Sequence, residues 1–132
     1  MTISEVTSVV TQDRKQSRMR KVTFTHETAG GAGTETATTT FTLCGRLVRV
    51  AFTAGEAGGW NFSLSDGVAT IWTGEMYANA AKSLPLYMDT TDRAGHLTTY
   101  VKGIPICGPL TCTTTSVATV APAITIYWEE DK

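Results

Sequence analysis

Apolar and polar residues alternate with a period of two along most of this chain, between clusters of Gly, Pro, Asn and Asp. Nowhere do apolar residues recur at helical spacing over three turns, so the pattern predicts strand after strand. Residues 5–11 and 20–27 read as the first two strands, the second with Val22 and Phe24 on one face and Thr23 and Thr25 on the other. Ala29-Gly30-Gly31-Ala32-Gly33 offers nothing to pack and loses much backbone entropy on ordering, so it reads as a mobile loop or hinge. Alternation returns from 36 to 53, broken at Cys44-Gly45, and sets Val48, Val50 and Phe52 against Leu47, Arg49 and Ala51. Asp66-Gly67 between two alternating runs predicts a hairpin with a two-residue type I′ turn, in which both central residues take positive φ. Counting back from that turn pairs Leu64 with Ala69 and Phe62 with Ile71 on a core face. Ser63 then meets Thr70, and Asn61 meets Trp72, on a polar face, where the Trp72 ring calls for cover from the next segment.

Residues 75–83 carry the best helix propensity in the chain, with Glu75 early and Lys82 late to match the macrodipole. A short helix of two turns is expected there, stopped at Leu84-Pro85. A strand at 86–89, a polar turn through Asp89, Asp92 and Gly95, and a strand at 96–102 follow. Pro105 and Pro109 bracket Ile106-Cys107-Gly108, and Leu110 to Ser116 and Ala123 to Trp128 form a closing pair of strands. The fold expected is all-β, a single-domain β-sandwich or jelly-roll-like barrel of about 8–10 short strands. Residues 22–132 would form the sandwich and residues 1–21 an N-terminal arm or edge strand. The expected core comprises Val22, Phe24, Val48, Val50, Phe52, Phe62, Leu64, Ile71, Ile124 and Ile126.

Composition sharpens this reading. A chain of 132 residues, 42% hydrophobic and 17% charged, is long enough for one core and is neither a disordered nor a helical membrane-spanning type. Its 25 threonines favour pleated structure. A formal net charge of −1 supplies no global attraction for nucleic acid or an anionic membrane, and neither is expected as a partner. Locally, Arg14, Lys15, Arg18, Arg20 and Lys21 crowd one stretch, while Glu129, Glu130 and Asp131 close the chain. Such a basic cluster reads as a solvated face or as a contact for an acidic partner.

Candidate chemistry is sparse. Three cysteines, Cys44, Cys107 and Cys112, are an odd number in a sequence that opens Met-Thr-Ile-Ser-Glu without a signal-peptide pattern, which suggests synthesis in a reducing compartment. The spacing from Cys107 to Cys112 has no second pair to complete a zinc site, so the thiols are expected as small buried hydrophobes, with no required metal or disulfide. His26 and His96 lie apart, no G-x-S-x-G elbow is present, Asp89 and Asp92 lack further acids at EF-hand spacing, and Gly30, Gly31 and Gly33 match no nucleotide-binding loop. No catalytic residue, cofactor or metal site is expected. The aromatic residues could line a sugar-binding face, though core and interface packing is their commoner use.

Gly45-Arg46-Leu47-Val48-Arg49-Val50, Trp60 to Gly67, Leu84-Pro85-Leu86-Tyr87, Ile104 to Thr111 and Ala123 to Trp128 together resemble small tailed-bacteriophage head proteins, a class that includes decoration, or cement, proteins. The resemblance spans residues 45–128 as an order of turn and strand features. It implies a non-enzymatic virion structural protein, made in the host cytoplasm, that binds the major capsid protein on the capsid exterior, stabilises the shell and self-associates, with a trimer as one arrangement. Arg14, Lys15, Arg18, Arg20, Lys21, Trp72 and Tyr77 are the candidate partner-binding residues. A carbohydrate- or receptor-binding β-sandwich of a phage adhesion apparatus is the alternative, and an unrecognised hydrolase ranks third.

Overall fold

The computed structural model describes residues 2–4, 10–12, 17–25, 33–53, 60–76, 82–91, 97–117 and 122–130. Among them run thirteen strands: β1 (Thr2–Ser4), β2 (Val10–Gln12), β3 (Ser17–Thr25), β4 (Gly33–Thr38), β5 (Leu43–Phe52), β6 (Trp60–Ser65), β7 (Thr70–Met76), β8 (Lys82–Pro85), β9 (Tyr87–Thr91), β10 (Leu97–Lys102), β11 (Ile104–Gly108), β12 (Thr111–Val117) and β13 (Ala123–Glu130). A seven-stranded antiparallel sheet has the order β1-β3-β13-β5-β11, with β2 sharing the outer side of β3 and β8 sharing that of β5. A second sheet has the order β4-β12-β6-β7, and β9 and β10 pair as a separate ribbon. Counting β3, β4, β5, β6, β7, β11, β12 and β13 as first to eighth, one sheet runs first, eighth, third, sixth and the other second, seventh, fourth, fifth. This is the jelly-roll arrangement, eight strands wound as two Greek keys into facing sheets.

The inward residues of both sheets make one core. Val22, Phe24, Leu47, Val50, Phe52, Ile124, Ile126 and Trp128 from the larger sheet meet Ala37, Trp60, Phe62, Leu64 and Cys112 from the smaller. Phe52 bridges the layers, its ring edge-on to Trp60 at 5.9 Å and to Phe62 at 5.7 Å, the geometry that aromatic quadrupoles favour. At the other end Phe41 stacks on Trp128 at 6.0 Å. Phe62 and Leu64 are fully buried as expected.

Two members of the expected core, Val48 and Ile71, are only half-buried, and both sit in β-bulges. Tyr127 pairs with Arg49 and Trp128 with Leu47, leaving Val48 as an extra residue in β5. That insertion flips the parity of the strand, so Leu47 and Val50 both face inward. Outside β5, the gap between β8 and β11 is filled by Leu86, whose N–H donates to the Val48 carbonyl (3.0 Å) and whose own carbonyl accepts from Gly103 N–H (2.9 Å). Gly103 takes φ +84°, and a Cβ there would lie 3.4 Å from the Leu47 carbonyl oxygen, which explains a glycine at this junction.

The Asp66 hairpin is longer than its composition predicts. Ser65 pairs with Thr70 across a four-residue connection, and Leu64 pairs with Trp72, so Ile71 becomes the bulged residue. Trp72 therefore turns to the core side, half-buried, with its ring 5.1 Å from Phe62. No helix occurs among the described residues. Glu75 and Met76 continue β7 opposite Asn61 and Trp60, and Lys82 and Ser83 pair with Phe52 and Ala51. Sheet pairing there outweighs a helix propensity of a few tenths of a kcal/mol per residue. The two closing strands do not pair with each other either: β12 lies in the smaller sheet and β13 in the centre of the larger. The Gly-rich stretch 29–32, His26 and His96 fall outside the described residues.

The corners between sheets are tied by Thr39. Its N–H donates to the Leu110 carbonyl (2.9 Å), its hydroxyl accepts from Leu110 N–H (3.0 Å) and donates to the Phe41 carbonyl (2.8 Å). One buried threonine thus clamps the β4–β5 crossing to the β11–β12 crossing. Replacing Thr39 with Val should cost about 1–3 kcal/mol, because a buried Leu110 N–H loses its acceptor, while Thr39→Ser should cost under half as much in denaturant unfolding. Thr114, also fully buried, holds a hydroxyl with no hydrogen-bond partner. Thr114→Val should raise stability by about 1 kcal/mol, and a loss of that size in the same assay would contradict the burial of an unsatisfied hydroxyl.

Candidate functional site

Alternation that sends Ala37, Cys112, Phe62 and Leu64 inward sends an array of hydroxyls outward on the four-stranded sheet. β4 presents Thr34, Thr36 and Thr38; β12 presents Thr111, Thr113 and Thr115; β6 adds Asn61, Ser63 and Ser65, and β7 adds Thr70 and Thr73. Thr36 and Thr113 lie with hydroxyls 3.2 Å apart, and Thr38 and Thr111 at 2.9 Å, so cross-strand pairs fix the rotors in register. None of the described side chains on this face is charged. Between β12, β6 and β7 the face dips into an open cleft of about 280 Å³ lined by Asn61, Ser63, Thr70, Thr73, Thr113 and Thr115, with Phe62 beneath it. Such a surface both donates and accepts hydrogen bonds, and each hydroxyl it buries needs a partner across the contact. It holds no nucleophile–base pair.

The outer face of the seven-stranded sheet is different in kind. Arg49 lays its guanidinium 4.1 Å over the Tyr127 ring, a cation–π contact. Arg46 stands opposite Glu129, and the Thr23 and Thr125 hydroxyls meet at 3.0 Å. Arg49 is thus held over an aromatic ring, and Arg46 has an acidic residue across the strand pair.

Of the residues singled out from sequence, Arg14, Lys15 and Tyr77 lie outside the described residues. Arg18, Arg20 and Lys21 belong to β3, where their backbones pair with Glu130, Trp128 and Tyr127 of β13. Arg20 faces the core side, half-buried, and its Nε donates to Glu130 Oε2 at 2.7 Å, closing the end of the sandwich beside Trp128. Trp72 is occupied by core packing. Among the described ones, Arg18, Arg20 and Lys21 share β3 of the larger sheet, and Trp72 lies in β7 of the smaller. The hydroxyl face has a signal in the sequence: Thr34, Thr36, Thr38 and Thr111, Thr113, Thr115 alternate in the chain, a pattern that by itself reads as strand formation.

The cysteines also depart from expectation. Cys112 is a buried small hydrophobe, and burial pushes its thiol up to about 12. Cys107, by contrast, is exposed and lies directly across from Cys44. Among the described residues no group of three or more His, Cys, Asp or Glu side chains is placed to hold a metal. No helix among the described residues is long and apolar enough to cross a membrane. Comparison with protein-family models, curated proteins and solved structures returns no match.

The β6–β7 connection is ordered by one carboxylate. Asp66 Oδ1 accepts from Val68 N–H (2.9 Å) and Ala69 N–H (3.0 Å), and Gly67 supplies φ +92° with open space around it. The Ala69 and then the Val68 N–H hold the Asp66 carboxyl below its ordinary 3.8. A depressed carboxylate stabilises the fold above its unfolded pKa, and that contribution is lost as pH falls through the lower folded value. Thermal melts of Asp66→Asn should therefore differ from wild type at pH 6 and converge on it under strongly acidic conditions, and an equal gap at both would contradict the assignment.

Proposed function

We propose that this chain is a non-enzymatic assembly module, a virion decoration protein that binds the major capsid protein on the outside of a capsid and braces it. The observation that carries this reading is the hydroxyl-rich face of β4, β12, β6 and β7, on which none of the described side chains is charged. A broad contact costs less to form where the surface has little charge to strip of water and pairs such as Thr36–Thr113 and Thr38–Thr111 already hold each other's hydroxyls. The jelly roll fits the same reading, because that architecture serves virion shells as well as lectins, although a fold alone does not assign a function. Self-association on the particle and a role for the Arg14, Lys15 and Arg18 cluster belong to this proposal. A carbohydrate- or receptor-binding module is the second reading, favoured by the cleft over Phe62, whose hydroxyl and amide lining suits a sugar.

Sedimentation with empty capsids that lack the protein tests both readings. The chain should pellet with the shells, and Ser63→Glu with Thr113→Glu should weaken binding by about tenfold or more, since an interface that buries an unpaired charge loses well over the ~1.4 kcal/mol that factor represents. The melting temperature should stay within a few degrees of wild type because both positions face outward. Unchanged binding would remove the hydroxyl face. Loss on reversing Arg14, Lys15 and Arg18 alone would move the contact to the basic cluster, and retention on immobilised glycans without any capsid binding would favour the second reading.

A further inference from the structure

Cys44 and Cys107 meet across the antiparallel pairing of β5 and β11. Leu43 and Gly45 flank Cys44 on the inward side, and Ile106 does the same for Cys107, so both thiols project from the outer face of the seven-stranded sheet. Cys44 is half-buried, Cys107 is exposed, and their Sγ atoms stand 2.6 Å apart. Directly opposed strand positions hold their Cβ atoms at roughly 4.5–5.5 Å, close to the separation a disulfide spans. Beside Cys107 opens a cleft of about 370 Å³, lined by Gly45, Asp66, Val68, Pro105 and Ile106. Val68, at 93% exposure, puts a bare apolar side chain at the mouth of that cleft.

We propose that Cys44 and Cys107 are a dithiol–disulfide site, oxidised reversibly by a small-molecule disulfide that enters beside Val68. The Cys107 thiolate, the accessible member, attacks one sulfur of the oxidant; its S–S bond breaks and one thiolate leaves. Cys44, losing its proton, then attacks Sγ of Cys107 and expels the second thiolate. Two protein thiols give up two electrons and two protons, and the oxidant becomes two thiols. The product ties β11, an edge strand interrupted by Pro105, to β5. Cys112 takes no part, since it is buried in the core and has no path to either partner.

The test uses the full chain, reduced, freed of reductant and titrated with oxidised glutathione, then acid-quenched, unfolded and alkylated for intact-mass and peptide analysis. The expected product is lighter by two hydrogens, carries a single alkylated cysteine at Cys112 and yields a peptide joining Cys44 to Cys107. Its melting temperature should rise by several degrees, with about 15 °C as the ceiling for closing so long a loop, and dithiothreitol should reverse the rise. Cys112→Ser should behave as wild type, and Cys44→Ser should trap a glutathione adduct on Cys107. Three alkylated cysteines after oxidation, a lasting adduct on wild-type Cys107, or a bridge to Cys112 would overturn the assignment. An adduct on Cys44 in Cys107→Ser, with none on Cys107 in Cys44→Ser, would overturn the order of attack.

Discussion

Everything in this fold depends on two sheets burying each other's inner faces, and that contact is most concentrated where Phe52 reaches across to Trp60 and Phe62. Neither sheet can exist alone, because each presents a continuous apolar face that water would penalise at about 25 cal/mol per Å². The winding follows from the same requirement. Apart from the β6–β7 hairpin, successive strands of the eight cross between layers, so the chain can complete either sheet only by completing both, and β13 enters the middle of the larger sheet between β3 and β5. Thr39 is where this winding is locked, since the hydrogen bonds of one side chain and its own N–H tie two sheet-crossing corners together.

Aromatic and branched side chains fill the interior between the sheets. Chemistry is displaced to the outer faces, which the alternation of each strand makes different from one another. One face is hydroxylic, with no charge among its described side chains. The other mixes Arg46, Arg49, Tyr127 and Glu129 with a pair of thiols. The proposed contact uses the broad hydroxyl face of a rigid sandwich, and a cross-strand thiol pair on the opposite face gives the same scaffold a means of stiffening one of its edges.

How far the sequence announces this depends on whether a feature is local. Strand after strand was legible from period-two alternation, and Val22, Phe24, Val50, Phe52, Phe62, Leu64, Ile124 and Ile126 are buried as that pattern predicts. Val48 and Ile71 misled because a bulge adds one residue without interrupting the hydrophobic run, reversing parity where nothing local marks it. The stretch from Glu75 lost its expected helix to pairing with residues 60–61, a partner some fifteen positions away. The thiol pair was hidden for the same reason. It exists only because β11 joins β5, and two prolines around Ile106 read as a break in the chain, whereas an edge strand tolerates Pro105 on its outer face. The threonine face was legible in its parts and invisible as a whole, since only the order β4-β12-β6-β7 lays its rows side by side.

The most direct test of the central claim is an image, at side-chain resolution, of empty capsids reconstituted with the purified protein. The account predicts ordered density on the shell exterior with the outer face of β4, β12, β6 and β7 turned towards the capsid protein and the threonine rows buried in the contact. Density in which that face points to solvent, or shells that take up no protein at saturating concentration, would contradict it.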